Sequence, residues 1–307
     1  MMKNIQQVKA FAKLNLTLDV LGKRDDGFHE LITIMQAIDL YDEISIEFTS
    51  KKTVSVAADF ELPEGSVAFN AANEYMQRTG SGGANINIKG RIPPMAGLGG
   101  SSADGAAVLR AMQRHYGLMD RPSLYALAVQ LGSDVPFLLE GGAAICRGRG
   151  ERLEPISGGI LAGLCYLVVK PGPGISTAQL FAGLRPPYAG AKSDEARLAL
   201  QADDKRLFLS CISNALEPPA AELLPAIGHI LKRLRRCGAL AAGMSGSGSA
   251  CFAVFDDKNK ALAAAEGFVD AGIDFCGVFN PISGFDIYNK QDLCYNNGSG
   301  WDEGRIR

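Results

Sequence analysis

The sequence predicts an α+β protein built as two domains, and three observations carry that reading. The first half alternates strand patterns with amphipathic helices. Near Pro155 to Gly159 the composition turns to Pro, Ser and Gly, which marks a boundary between a 1–157 unit and a 158–288 unit. With 307 residues, 47% hydrophobic and 21% charged, the chain is long enough for two cores and too apolar to be disordered.

From Phe11 to Val20 the residues Leu14, Leu16, Leu18 and Val20 fall on one strand face and Lys13, Asn15, Thr17 and Asp19 on the other. A turn-rich stretch, Gly22 to Gly27, follows. Further strands are read at Ile44–Phe48, at Val54–Val56 and at Ile86–Ile88 from the same alternation. Ser66 to Arg78 has helical spacing, with Val67, Ala71, Ala72, Tyr75 and Met76 along one side. A loop from Gly90 to Gly100 leads into a helix from about Ser102 to Tyr116, ended by Gly117. Ser123 reads as the N-cap of the next helix, which stops at Gly132. The second unit opens with a strand at Cys165–Val169 and a Pro171–Gly174 loop. Helical stretches follow, then a strand at Ala250–Phe255, a helix at Lys258–Ala271 and two short strands ending near Tyr288. The polar segment 289–307 has no periodicity and reads as a disordered tail.

Lys plus Arg number 31 against 33 Asp plus Glu, a net charge of -2 that argues against nucleic acid or an anionic membrane surface as partner. The longest nearly uncharged apolar stretch, Ile160 to Val169, is about half of what a membrane-spanning helix needs. The first residues carry no apolar signal core, so a cytoplasmic location is expected. Seven cysteines, odd in number and never in a Cys-x-x-Cys pair, read as reduced and mostly buried thiols. With three histidines in the chain, no zinc-ligand spacing is present.

The most informative segment is Pro93-Pro94-Met95-Ala96-Gly97-Leu98-Gly99-Gly100-Ser101-Ser102-Ala103-Asp104, joining a strand to a helix. Glycines let backbone approach a ligand, and a helix's first turn offers unpaired N–H groups at the positive end of its dipole. That combination suits nucleotide phosphates, although a simple turn with a serine cap explains the residues equally well. The Walker pattern is absent, as is the third glycine of a dinucleotide fingerprint. A second cluster, Gly243 to Ser249, fails G-x-S-x-G and by itself reads more as a flexible loop than as a site.

Lys13 and Asn15 lie about 7 Å apart along their strand and point the same way, a face that ordinarily is simply solvated. His29 follows a turn, where histidine is usually a surface or capping residue. Asp134 fits an N-cap before a short helix with Pro136 in its first turn; held among apolar neighbours, it also suits a general base.

Together these segments resemble the GHMP kinase superfamily, which shares three ordered motifs. The first is Ala12-Lys13-Leu14-Asn15-Leu16-Thr17-Leu18-Asp19-Val20, continued by Arg24-Asp25-Asp26-Gly27-Phe28-His29-Glu30-Leu31. This long form is similar to the branch whose substrate is a cytidine diphosphate-linked methylerythritol. The second motif is Pro93 to Asp104, and the third is Gly243 to Ser249 running into Ala250-Cys251-Phe252. Leu131 to Pro136 with Gly141-Gly142, and Pro171 to Thr177 with Phe181, also look like this family, so the likeness spans about residues 10 to 287. Two departures stand out: Gly100 runs directly into Ser101-Ser102-Ala103-Asp104, and Phe28 stands where tyrosine is common.

The resemblance implies a two-domain GHMP kinase fold, an ATP-binding unit followed by a ferredoxin-like one, with the active site in the cleft. It implies that ATP phosphates lie on Pro93 to Ala103, with Mg²⁺ accompanying ATP and no protein ligands assigned to it. Asp134 would take the proton from the 2-hydroxyl of a small-molecule substrate, and Lys13 would neutralise charge on the transferring group. Asn15 and His29 would orient that substrate, and Phe28 and Phe181 would stack on its cytosine. Mevalonate- and homoserine-type kinases are the nearest rivals, and a catalytically silent sensor of the same fold is the rival from another class.

Overall fold

The computed structural model describes residues 5–62, 65–156, 159–186, 192–269 and 272–285. In chain order its first half comprises β1 (Ile5–Lys23), β2 (His29–Thr49), β3 (Val54–Ala58), α1 (Val67–Thr79), β4 (Gly83–Lys89), α2 (Gly100–Tyr116), α3 (Arg121–Leu131), α4 (Val135–Glu140), β5 (Ala143–Gly148) and β6 (Arg152–Ile156). The second half comprises β7 (Cys165–Pro171), α5 (Thr177–Gly183), α6 (Lys192–Gln201), α7 (Lys205–Ser210), β8 (Ser213–Asn214), α8 (Glu217–Leu223), α9 (Pro225–Leu234), β9 (Ala241–Met244), β10 (Cys251–Phe255), α10 (Lys258–Ala265) and β11 (Ile273–Phe279).

Two sheets organise these elements, as the α+β prediction requires. The first runs β3-β4-β2-β1-β8, and β5 and β6 extend from the other end of the long β2. The second runs β11-β7-β10-β9 with antiparallel neighbours, which is the fourth–first–third–second order of a ferredoxin-like unit. Helix α2 packs on β1 and β2 with α1, α3 and α4 around it, while α9 and α10 pack on the second sheet.

Strand β1 belongs to both cores. Leu14 and Leu16 join the apolar cluster beneath α2, whereas Leu18 and Val20 join the cluster of the second sheet. Register shifts against β2 fall between Phe11 and Lys13, between Asn15 and Thr17, and between Val20 and Gly22, the middle one at Leu16 where the strand passes from one cluster to the other. Burying each such side chain contributes roughly 1.5–3 kcal/mol, so the strand is anchored firmly at both ends. Its polar face is not solvated: Lys13, Asn15, Thr17 and Asp19 are at most 3% exposed. The alternation was legible, but the ordinary reading of its polar side is corrected, because Ser193 of α6 covers Thr17 and Asp19, while Lys13 and Asn15 are enclosed by the glycine loop and by Ser245 and Gly246.

Other boundaries move for local reasons. Strand β1 begins at Ile5 rather than Phe11, and the Ile44–Phe48 alternation is the far end of the 21-residue β2. Helix α2 starts at Gly100, two positions ahead of expectation, because Gly99 takes the left-handed cap conformation (φ 76°). Asp120, not Ser123, caps α3, and its carboxylate accepts the Ser123 N–H at 2.9 Å. The helix expected over Lys258–Ala271 ends at Ala265 and tightens into a 3₁₀ turn, Glu266–Phe268. In place of two short closing strands there is β11, followed by single bridges from Pro281 to Ile38 and from Gly284 to Gly141. The predicted strand end near Tyr288, the tail 289–307 and Cys294 lie outside the described residues. The other six cysteines are free, with five buried and Cys237 half-buried. Among the described residues, no helix is long and apolar enough to cross a membrane.

Candidate active site

A single cavity of about 1680 Å³ runs along the junction of the two sheets and touches Lys13, Asn15, Phe28, His29, Asp134 and Phe181. Pockets for one small ligand are usually 300–1,000 Å³, so this volume suits two ligands side by side. One wall is the glycine loop, with every residue from Pro93 to Ser102 lining it, while Ala103 is buried behind.

The loop's shape follows from where its carbonyls go. Those of Met95, Ala96 and Leu98 accept backbone N–H groups of Ser249, Ala250 and Lys13, and that of Gly97 accepts the Ser245 hydroxyl at 2.9 Å. With its acceptors spent on β1 and on the segment entering β10, the loop is tied down from both halves of the fold. Gly97 sits at φ 72°, and a Cβ there would meet the Ser245 carbonyl at 2.1 Å. The cap of α2 is Gly99, which has no side chain to satisfy the first-turn amides, and that turn carries no acidic residue. The first N–H groups of α2 therefore open on the cavity with the positive end of the helix dipole, a site made for an anion.

Lys13 reaches this wall from β1. Its Nζ lies 3.4 Å from Oδ2 of Asp134 and donates to Oδ1 of Asn15. Asn15 is held in turn, its Nδ2 donating to Thr33 Oγ1 at 2.9 Å and its backbone N–H to Ser245 Oγ at 3.2 Å. Asp134 stands at the head of α4, yet its side chain makes no capping bond. The carboxylate is turned to Lys13 instead, so the simple capping reading is corrected.

At the far end, the His29 and Phe181 rings lie 5.1 Å apart at 35°, and Phe28 is half exposed beneath the Arg149 guanidinium, 4.6 Å from the ring centre. Burial, then the nearby Lys23 charge, lowers the His29 pKa, which favours a neutral ring at pH 7. A stacking surface and a cation thus meet at one mouth of the cavity.

Near the start of α2, Asp42 and Asp104 are 3% and 5% exposed. Asp42 Oδ1 accepts the Ile92 N–H at 2.8 Å and the Arg91 N–H. Burial, followed by the Asp42 charge, raises the Asp104 carboxyl well above the usual range, and burial also raises Asp42 against the pull of those two amides. Among the described residues, no group of three or more His, Cys, Asp or Glu side chains is placed to hold a metal ion.

Sequence reasoning missed Arg149, Asp42 and the docking of Ser245 on Gly97. The Gly243–Ser249 cluster carried a signal, since glycines at 246 and 248 adopt positive φ, but its partner was not visible without the fold. Arg149 had no local signal at all.

Comparison with known proteins gives the family. Residues 66–142 match the GHMP kinases N terminal domain, and residues 196–274 match the GHMP kinases C terminal domain. A 4-diphosphocytidyl-2-C-methyl-D-erythritol kinase of Pelotomaculum thermopropionicum is 40% identical over 282 residues, covering 89% of this chain and 97% of the relative. Its namesake in Acetivibrio thermocellus is 38% identical over 269 residues, covering 85% and 93%. A crystal structure of 4-(cytidine 5'-diphospho)-2C-methyl-D-erythritol kinase superposes with a TM-score of 0.74 at 33% identity, covering 90% of this chain and 99% of that one. A homoserine kinase from Cytophaga hutchinsonii, at 22% identity and a TM-score of 0.71 over 92% and 96%, shares the fold.

Proposed function

The chain belongs to the GHMP kinases, and within them to the 4-diphosphocytidyl-2-C-methyl-D-erythritol kinases, and from that premise we propose how its own residues carry out the transfer. The reaction moves the γ-phosphoryl group of ATP to the 2-hydroxyl of the cytidine diphosphate-linked methylerythritol, in the non-mevalonate route to isoprenoid precursors. The observation that supports the residue roles best is the Lys13–Asp134 contact beside the uncapped start of α2.

ATP phosphates rest on Pro93 to Ala103, where the first-turn amides of α2 supply fixed donors. Phosphoryl transfer asks little covalent chemistry of a protein, so positioning and electrostatic stabilisation carry the rate. Asp134 accepts the proton of the attacking hydroxyl. Lys13, nearly buried and held by Asn15, stabilises negative charge on the transferring group. The methylerythritol part lies against Asn15, the cytosine stacks between Phe28 and Phe181, and His29 offers it a ring nitrogen. Arg149, above Phe28, is placed to meet the substrate's diphosphate.

Mg²⁺ takes oxygen ligands, and the Ser101 and Ser102 hydroxyls that line the phosphate wall would hold it together with the phosphate oxygens themselves. When bound there it neutralises charge on the β- and γ-phosphates. The 1–157 unit then serves the nucleotide and the 158–288 unit closes the cleft. The six cysteines among the described residues are free thiols, which suits a reducing cytoplasm.

The test is ADP release with the cytidine substrate set against mevalonate and homoserine. Release with mevalonate alone overturns the specificity, and none with any substrate favours the silent sensor.

A further inference from the structure

One buried cation has no part in the mechanism above, yet it lies on the phosphate-binding helix and touches the elements that carry Lys13 and Asp134. Arg110 lies on α2, well inside the fold and 2% exposed. Its Nη1 donates to the Leu138 carbonyl on α4, and its Nη2 donates to the Lys9 carbonyl on β1 at 3.2 Å. The Phe285 ring covers the guanidinium, 4.3 Å from its centre, and Phe285 donates its own N–H to Glu140 at 2.7 Å.

Both carbonyls lie on elements that carry a reacting group, α4 with Asp134 at its head and β1 with Lys13. The Leu138 N–H donates to the Asp134 carbonyl at 3.0 Å, so Leu138, whose own carbonyl accepts from Arg110, stands one turn of α4 from Asp134. Lys9 precedes Lys13 on β1, across the register shift at Phe11 and Lys13. The helix carrying Arg110 is the one whose first turn holds the phosphates. Both Leu138 and Lys13 also flank Gly99, where an added Cβ would meet their side chains at 3.2 and 3.3 Å.

Burying a guanidinium is costly, and here burial together with the neighbouring Arg114 charge lowers its pKa to about 9. An apolar side chain would pack α2 against β1 and α4 without that cost. A planar fork does something an apolar side chain cannot: two donors at fixed geometry hold two carbonyls on separate elements at one spacing. The Leu138 carbonyl is also among those left without a helical partner at the end of α4, where a cation is favourable.

We propose that Arg110 is a positioning residue for phosphoryl transfer, its buried fork fixing the spacing of the Lys13 strand and the Asp134 helix against the phosphate-binding helix. This deepens the site reading and rests on it, because Arg110 acts only through Lys13 and Asp134.

The experiment is a double-mutant cycle with steady-state kinetics for both substrates. Arg110→Met is expected to lower kcat about 10- to 100-fold, the cost of a misplacement near 1 Å, with both KM values within about twofold. In an Asp134→Asn background the same change is expected to cost several-fold less than in the parent, because one of the two groups it positions is already gone. Arg110→Lys, which keeps the charge but not the fork, is expected to fold and to recover only part of kcat. It carries the test if the methionine variant does not fold, and wild-type kcat in folded Arg110→Lys overturns the proposal. A full Arg110→Met loss persisting beside a crippled Asp134→Asn, or KM values rising in step with the fall in kcat, overturns the positioning role alone. Near-normal turnover of Asp134→Asn overturns the base assignment and this proposal with it.

Discussion

Lys13 and Asp134 form an ion pair of 3.4 Å in which the lysine side chain is 4% exposed and the aspartate 28%. The cation is fixed by the strand that buries it and by Asn15, while the carboxylate keeps one side open to the cavity. A buried donor beside an accessible acceptor is the arrangement a hydroxyl needs if it is to lose a proton while the group it attacks is held.

Replacing Asp134 by Asn keeps shape and removes the base. Turnover is expected to fall about 10²-fold or more, the range of general-base contributions, with ATP affinity little changed. Steady-state kinetics on the folded variant, with nucleotide titration alongside, decides it.

Lys13→Met is expected to lower kcat by a larger factor than it raises either KM, because the amine acts on charge that grows during transfer. An equal loss in both would assign the lysine to binding instead.

Phe28→Ala and Phe181→Ala are expected to raise KM for the cytidine substrate and leave KM for ATP alone. Stacking of a base on an aromatic ring contributes about 1–3 kcal/mol, so the rise should lie between roughly fivefold and a hundredfold. An unchanged KM in both variants would remove the cytosine from that mouth of the cavity.

Gly97→Ala places a Cβ against the Ser245 carbonyl at a residue with φ 72°, so the loop must shift. Weakening of nucleotide binding by about tenfold or more is expected, readable by calorimetric titration, since the amides would no longer converge on the phosphates. Ser245→Ala should do the same more mildly.

Stability should depend on Asp104 in a definite direction. Its carboxyl, raised by burial and then by the Asp42 charge, stays protonated in the folded chain over a pH range where the unfolded chain has released that proton. The contribution is intact below about pH 4, the unfolded value, and is lost as pH rises through the folded one. Asp104→Asn cannot ionise, so its melting temperature should gain on the parent's as pH rises from 4 to 8, each kcal/mol appearing as about 2–4 °C. A difference that is flat with pH, or one that grows toward acid, would contradict the raised value.

Much of this protein was open to inspection before any fold was known. Alternation in β1 and Gly117, the left-handed glycine that ends α2, are local signals, set by backbone sterics and by the period of a strand or helix. The glycine loop stood out as a run of small residues, whereas Lys13, Asn15 and Asp134 read as ordinary by themselves and drew an expected role only from the resemblance of the ordered motifs to a kinase superfamily.

What only the tertiary structure decided is which of these residues meet. Local pattern cannot tell a solvated polar face from one covered by α6, the glycine loop and the Ser245–Gly246 turn, and so the burial of Lys13, Asn15, Thr17 and Asp19 came as a correction. Nor can it show that Ser245 seats on Gly97, that Arg149 lies over Phe28, or that Arg110 joins three elements through carbonyls. Those contacts depend on chain segments far apart in sequence, and a carbonyl acceptor has no side-chain identity to read. The residues at hand were written in order along the chain, but their chemistry arises from packing two sheets around one cavity.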